Sequence, residues 1–158
     1  EHKLRPGTEN VPGIIGLGQA IELAVAEMAA KAELLTGLRD RLIAGLLKIE
    51  DVILNGPDRI LRLPGNVNVS FKYIEGESVL LSLDLQGIAA SSGSACSSGS
   101  LDPSHVLSAI GLDHQTAHGS IRFSLGRGNS EEDIDYILEK LPPIIEKLRQ
   151  ISPIRRNS

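Results

Sequence analysis

Aromatic and sulfur-containing side chains are scarce in this chain. Its 158 residues include no Trp, two Tyr, two Phe, one Met and one Cys. The core is therefore predicted to consist mainly of aliphatic side chains. The single cysteine, Cys96, excludes a disulfide within the chain, so the sequence does not point to an oxidising compartment, and the cytoplasm is the expected location.

Basic clusters and long apolar runs are also missing. The formal net charge is −4, and the only basic block is Arg155-Arg156 near the end of the chain, so we do not expect a nucleic-acid partner. No apolar run approaches the roughly 18 residues of a membrane span, and the polar start "EHKLRPGTEN" is unlike a signal peptide, so no membrane partner is expected either. The start lacks Met and leads directly into a turn-like cluster, which suggests a piece of a longer protein.

The residues that are present predict a mixture of helices and strands. Apolar residues recur at helical spacing from Ile14 to Ile49, which predicts one long helix with Pro12 in its first turn. Such a helix could connect two domains as well as cover a sheet. The stretches "NVNVSF" and "SIRFSL" alternate between apolar and polar residues, as half-buried strands do. A second helix is predicted over Glu77–Leu85, ending at Gly87.

Two more helices are predicted in the last third of the chain. Pro103 begins a short helix that Gly111 ends. Ser130 caps the final helix, which Pro142-Pro143 should kink or restart. The order of elements favours an α/β fold, in the form of an α+β sandwich with helices on a small sheet. We expect a helical segment over residues 1–50 and a small C-terminal domain over residues 51–158.

The only cysteine lies in a stretch of very small residues. In "AASSGSACSSGSLDP", residues 89–103, ten of the eleven residues from Ala90 to Ser100 are Ser, Gly or Ala. These side chains offer no apolar wall against which a thiol could be buried. Because loops poor in large side chains are solvated and often carry function, the composition favours a reactive Cys96 over a buried, inert one.

Other chemistries for the same residues are weaker. His114 and His118 are four residues apart and could share a helix face, but two histidines and one cysteine do not supply a recognisable zinc ligand set. A cysteine–histidine hydrolase would need a histidine in a recognisable sequence context, which none of the four histidines has.

Arg122 and Thr8 are the remaining candidate site residues. Arg122 lies on the strand face opposite Ile121 and Phe123, where it is either an ordinary solvent-facing arginine or a guanidinium that binds a carboxylate. Thr8 immediately precedes the start of the long helix, where it either caps the chain or binds an anion near the helix N-terminus.

Several stretches together resemble one enzyme family. "SSGSACSSGSLDPSHVL" is similar to the active-site loop of cysteine desulfurases of the NifS/IscS group, and "RPGTENVPGIIGLGQA" to the segment that begins their long interdomain helix. "GSIRFSLGR", followed by "EEDIDYILEKLP", resembles their C-terminal strand and helix. The resemblance implies the C-terminal part of a homodimeric, pyridoxal-phosphate-dependent enzyme of the class V aminotransferase type. The lysine that binds the cofactor would lie outside this chain.

The resemblance also implies roles for individual residues. The Cys96 thiolate would attack the sulfur of L-cysteine, leaving L-alanine and a Cys96 persulfide that passes to an iron–sulfur scaffold protein. Arg122 would hold the substrate carboxylate, and Thr8 would contact the cofactor phosphate of the partner subunit. Cys96 could also transiently ligate an iron–sulfur cluster shared with the scaffold. Two alternatives stay open: a stand-alone sulfur-carrier module without pyridoxal phosphate chemistry, and a selenocysteine lyase.

Overall fold

The computed structural model describes residues 7–93 and 104–154. Five helices run over Val11–Leu46 (α1), Gly76–Asp84 (α2), His105–Ala109 (α3), His114–His118 (α4) and Glu131–Ile151 (α5). Four strands run over Val52–Leu54 (β1), Asn66–Phe71 (β2), Ser91–Ser92 (β3) and Ser120–Ser124 (β4), and a 3-10 turn covers Arg59–Leu61.

The strands form one antiparallel sheet in the order β1-β2-β4-β3. Val67 and Val69 of β2 are fully buried, as are Ile121 and, very nearly, Phe123 of β4, so one side chain in two points into the core. Antiparallel sheets commonly have one apolar face that is covered and one face that stays polar, which is the pattern here. Both predicted strands are confirmed.

Helices α1, α2 and α5 contribute the other side of the core. The buried apolar side chains of these helices are Leu38, Leu42, Ile43 and Leu46 of α1, Val79 and Leu83 of α2, and Ile134, Ile137, Leu141 and Ile145 of α5. They join the apolar face of the sheet in one cluster. The predicted aliphatic core and the sandwich of helices on a small sheet are therefore confirmed, while the predicted domain boundary near residue 50 stays a prediction.

The last helix contains the two prolines that were predicted to kink or restart it. Pro142 and Pro143 lie inside α5, and the helix does not restart there. Each proline removes a backbone donor and disfavours a helix interior. Leu141 and Ile145 on either side are fully buried, so packing against the core holds the helix together across the two prolines.

Helix α1 has two unlike halves. Its buried residues begin only at Leu38, and the half before them carries exposed apolar side chains. Those more than half exposed are Val11, Ile14, Ile15, Leu17, Ile21, Val25, Met28 and Leu34. By length and composition α1 could cross a membrane, although no continuous apolar run predicted this. Helices that pack beneath another part of a soluble protein have the same composition, so hydropathy alone does not assign α1 to a membrane.

Candidate functional site

The sheet face opposite the core is polar and partly open to solvent. In the antiparallel register of β2 and β4, Asn68 lies opposite Arg122 and Asn66 opposite Ser124. On the other side of β4, Ser91 of β3 also lies opposite Arg122. Directly opposed residues of antiparallel strands project to the same face, so these side chains share one surface. Arg122 and Ser124 are exposed there.

Arg122 lies in the middle of this surface. Within residues 7–93 and 104–154 its guanidinium takes part in no ion pair or side-chain hydrogen bond. Its five N–H groups are thus available to a ligand, and their fork geometry matches a carboxylate. The sequence left two interpretations of Arg122 open, and its position on an open polar surface without an acidic partner favours the ligand-binding one.

Strand β3 lies in the cysteine stretch, residues 89–103, and pairs its first part with β4. The chain passes from Ser91, opposite Arg122, to Gly93, which is three residues before Cys96. Cys96 itself lies outside the described residues. A Cβ atom at Gly93 would lie 2.2 Å from Ser120 Oγ and 2.7 Å from Leu107 Cδ1. A Cβ atom here would have to displace these two side chains, so glycine suits the close passage of this part of the cysteine stretch beside β4.

An asparagine network lies beside Arg122 and was not predicted. Asn55 follows β1 and is buried, with 3% of its surface exposed. Its Nδ2 donates to Asn68 Oδ1 at 2.6 Å and to Ser70 Oγ at 2.9 Å, while its backbone N–H donates to Asn68 O at 2.9 Å. The sequence "NG" indicated only a turn here, and the bend at Gly56 (φ +84°) confirms that turn. Nothing in the linear sequence links Asn55 to the strand that carries Asn68.

Two arginines hold the loop between β1 and β2 in place. Arg62 Nη2 donates to Asn55 O at 2.6 Å and to Pro57 O at 2.7 Å. Arg39 of α1, 3% exposed, donates to Arg62 O at 3.0 Å and bonds Asp40. Burial, and secondarily the charge of Arg39, lower the pKa of Arg62 from its ordinary value. These bonds fix the backbone at Asn55 and thereby the side chain that bonds Asn68.

Thr8 lies far along the chain from this surface, just before α1. Asn10 caps the helix with its Oδ1, which accepts from Gly13 N at 3.1 Å, so Thr8 is not the cap. Thr8 is exposed, and no contact among the described residues joins it to Arg122. Because α1 rises about 1.5 Å per residue, the helix extends roughly 24 Å from Val11 to Glu27. Thr8 stands at the outer end of the half of α1 that the domain does not cover.

An ion pair joins the exposed part of α1 to the segment that follows β4. Arg127 Nη1 lies 3.9 Å from Glu27 Oε2, and Lys31 contacts the same carboxylate. The hydrogen bond from Lys31, and then the charge of Arg127, lower the pKa of Glu27.

The two histidines of α4 share a helix face, as their spacing predicted. The ring centroids of His114 and His118 are 4.5 Å apart, with the rings tilted by 52°. In the part of the chain that the structure describes, no group of three or more His, Cys, Asp or Glu side chains could hold a metal ion.

Comparison with known proteins now adds the family. The sequence model described as "Aminotransferase class-V" matches residues 1–137. The chain is 59% identical over 155 residues to a protein of Methanosarcina thermophila named cysteine desulfurase IscS, covering 98% of this chain and 38% of that protein. A protein of Nostoc sp. named cysteine desulfurase is 55% identical over 158 residues, covering 99% of this chain and 39% of that protein.

Solved structures give the same result for the fold. A NifS-like protein matches 92% of this chain and 36% of its own length, with a TM-score of 0.79 and 37% identity. A NifS-like protein from Rickettsia africae matches 90% of this chain and 37% of its own length, with a TM-score of 0.77 and 30% identity. The chain spans about two fifths of the length of the curated relatives it matches. With the family model covering most of its length and the fold of its NifS-like neighbours, this chain belongs to the class V aminotransferase family.

Proposed function

We propose that the complete protein carrying this chain is a cysteine desulfurase that removes sulfur from L-cysteine and leaves it as a persulfide on Cys96. The observation that carries the proposal is the position of Arg122. It presents a guanidinium that has no partner among the described residues, on an open polar surface opposite the strand that leads within a few residues to the chain's one thiol. Relatives 55–59% identical that are named cysteine desulfurase support the assignment.

The two side chains suit two parts of an amino-acid substrate. Arg122 binds the carboxylate through parallel N–H donors and so orients the substrate. Cys96 as a thiolate forms a bond to the substrate sulfur while the Cβ–S bond of the substrate breaks. The electron pair of the broken bond goes to Cβ, which takes up a proton, so the products are L-alanine and the Cys96 persulfide.

The family depends on pyridoxal phosphate, which when bound withdraws electrons from the substrate carbons during this cleavage. The exposed Thr8 hydroxyl, free of side-chain hydrogen bonds to the described residues, fits a phosphate oxygen. The resemblance to desulfurases assigns the cofactor-binding lysine to a part of the protein outside this chain. We therefore assign Thr8 to the cofactor phosphate of a partner subunit in a homodimer, since it lies at the uncovered end of α1.

The persulfide needs an acceptor. We propose that Cys96 passes its sulfur to an iron–sulfur scaffold protein in the cytoplasm, and that it transiently ligates the nascent cluster in that complex. The name IscS of several relatives supports iron–sulfur assembly as the pathway. A persulfide carries its transferable sulfur at the end of the side chain, so a partner's thiol can attack it directly.

The proposal is tested in the complete protein loaded with pyridoxal phosphate. Sulfide release from L-cysteine in the presence of a thiol reductant should be abolished by Cys96→Ser and retained by Ser98→Ala, the matched control two residues away. Desulfurase activity that persists in Cys96→Ser would overturn the assignment. Faster turnover of L-selenocysteine than of L-cysteine, independent of Cys96, would instead favour the lyase.

A further inference from the structure

The asparagine network beside Arg122 has a donor that no described residue uses. Asn68 is half-buried on β2, and its Oδ1 accepts from Asn55 Nδ2 at 2.6 Å. This bond occupies the oxygen end of the amide and leaves its two N–H donors without a partner in the described ranges. A polar amide on an open sheet face with its donors free can bind an acceptor.

The register places that donor next to Arg122. Asn68 and Arg122 are directly opposed in the β2–β4 pair, so their Cβ atoms are separated by roughly 4.5–5.5 Å and both side chains project from the same face. A carboxylate has two oxygens with about four acceptor positions, more than one guanidinium edge fills. An amide donor beside the guanidinium therefore has a free oxygen lone pair to bind.

Hydrogen bonds from neighbouring residues fix the orientation of the Asn68 side chain. Asn55 is buried, its backbone and side chain both bond Asn68, and Arg62 holds the Asn55 carbonyl in turn. The Asn55 Oδ1 atom is buried and has no hydrogen-bond partner among the described residues, and an unsatisfied buried oxygen is costly in a folded protein. Such a cost is commonly found where a side chain is held for a function rather than for stability.

We propose that Asn68 is a second substrate-binding residue, which donates a hydrogen bond from Nδ2 to the carboxylate held by Arg122, and that Asn55 is the positioning residue that orients it. This inference rests on the proposed function, because it takes Arg122 as the carboxylate-binding residue. It adds a specificity element, because the added donor favours a ligand with a carboxylate over an amine or amide of the same shape.

The test compares two ligands on the complete protein loaded with pyridoxal phosphate. L-alanine carries the carboxylate and L-alaninamide replaces it with a neutral amide of similar shape; binding of each is followed by the visible absorbance of the bound cofactor. Asn68→Ala should weaken L-alanine binding about tenfold, the typical effect of losing one hydrogen bond to a charged group. It should weaken L-alaninamide binding less, by about threefold at most, because a hydrogen bond to a neutral carbonyl oxygen contributes less than one to a carboxylate.

Controls come from the same strand and from the network. Asn66 shares the sheet face two residues away, opposite Ser124, and Asn66→Ala should leave binding of both ligands unchanged. Asn55→Ala should weaken L-alanine binding less than Asn68→Ala does. In the double variant it should add little further loss, because the two residues act as one unit.

The outcomes separate this inference from the function on which it rests. If Arg122→Ala loses L-alanine binding and Asn68→Ala does not, the inference is wrong and the carboxylate site stands. If neither variant changes L-alanine binding, Arg122 does not bind the carboxylate, and the assignments of both Arg122 and Asn68 are wrong. Equal weakening of L-alanine and L-alaninamide in Asn68→Ala would show a structural role and overturn the inference. In turnover of L-cysteine, Asn68→Ala should raise KM with kcat little changed.

Discussion

At the scale of single residues, the polar side chains opposite Arg122 determine whether this sheet face can bind a carboxylate. The strand pattern alone shows that Arg122 points away from the core, which holds for any arginine on a half-buried strand. Only the assembled sheet shows that it has no acidic partner in the described ranges and that Asn68 and Ser91 lie opposite it.

The chemistry of Arg122 predicts that lysine cannot replace it. In the complete protein, Arg122→Lys should raise the KM for L-cysteine about tenfold or more, because an ammonium keeps the charge but loses the parallel pair of donors. Steady-state sulfide release measures the effect. Arg59→Lys, in the 3-10 turn away from β4, is the matched control and should behave as wild type. An unchanged KM in Arg122→Lys would contradict bidentate binding.

Replacing either of two glycines by alanine should change the free energy of unfolding, with opposite signs at the two positions. A Cβ atom at Gly119 would lie 2.3 Å from Phe71 O, so Gly119→Ala forces two backbone segments apart and should destabilise the fold by about 1–3 kcal/mol. Gly37 lies inside α1 with no atom within 4 Å of the same position, so Gly37→Ala should stabilise by about 0.5–1 kcal/mol. Urea unfolding of the chain measures both; two changes of the same sign would refute the packing argument.

At the scale of elements, the cap of α5 and the glycines that follow α2 and α3 were predicted correctly. Ser130 was predicted to cap α5, and its side chain accepts from Asp133 N while Asp133 accepts from Ser130 N, a capping box. The glycines that end α2 and α3 were also predicted, and Gly87 (φ +73°) and Gly111 (φ +93°) have the left-handed backbone that favours glycine. These features depend on a few neighbouring residues, so they can be recognised without knowledge of the fold.

The capping box predicts a local loss of stability. Ser130→Ala should destabilise the chain by about 1 kcal/mol, because a backbone donor at the start of α5 loses its partner. Ser108→Ala, an exposed serine on α3, is the matched control and should be neutral within about 0.5 kcal/mol. Thermal or urea unfolding provides the measurement, and equal effects of the two changes would contradict the capping role.

The cap of α4 predicts a dependence on pH. Hydrogen bonds from Thr116, first its hydroxyl and then its backbone N–H, lower the pKa of Asp113. A carboxyl whose pKa is lower in the folded state contributes stability above its ordinary pKa of about 4, and loses that contribution as pH falls through the folded-state pKa. Asp113→Ala should therefore be destabilising at pH 7, and its effect on the unfolding free energy should shrink as the pH falls below about 4. A difference in unfolding free energy that stays constant over this range would contradict the assignment.

At the scale of the whole molecule, the two halves of α1 are the dominant feature. The helical period predicts one long helix, yet most apolar side chains before Leu38 stay exposed among the described residues, while Leu38, Leu42, Ile43 and Leu46 enter the core. An uncovered apolar stripe of this length is typical of an interface. The relatives are more than twice as long as this chain, so they contain segments that could cover such a stripe.

This asymmetry predicts the behaviour of the chain on its own. The 158-residue chain should self-associate in solution through the exposed face of α1, and Ile14→Lys with Ile21→Lys should shift it toward monomer, as sedimentation velocity would show. The matched control Ile60→Lys, which changes an apolar side chain that is 94% exposed in the loop before β2, should not shift the chain toward monomer.

We also expect the chain alone to bind no pyridoxal phosphate and to release no sulfide. A monomeric chain with a pyridoxal phosphate spectrum would contradict both expectations.

Local sequence patterns were sufficient to predict most of the helices and strands, and the resemblance to one family implied the chemistry. Periodicity, caps and turn residues act over a few neighbouring positions, and the motifs around Cys96, Arg122 and Thr8 are local strings that resemble desulfurases. Which side chains meet across the sheet became visible in the folded chain alone. The pairing of Asn68 with Arg122, and the bonds from Asn55 and Arg62 that orient Asn68, join strands and loops that local patterns treat separately. Strand register is a property of the assembled sheet, so the pairing of Asn68 with Arg122 could be seen only once β2 and β4 were in place.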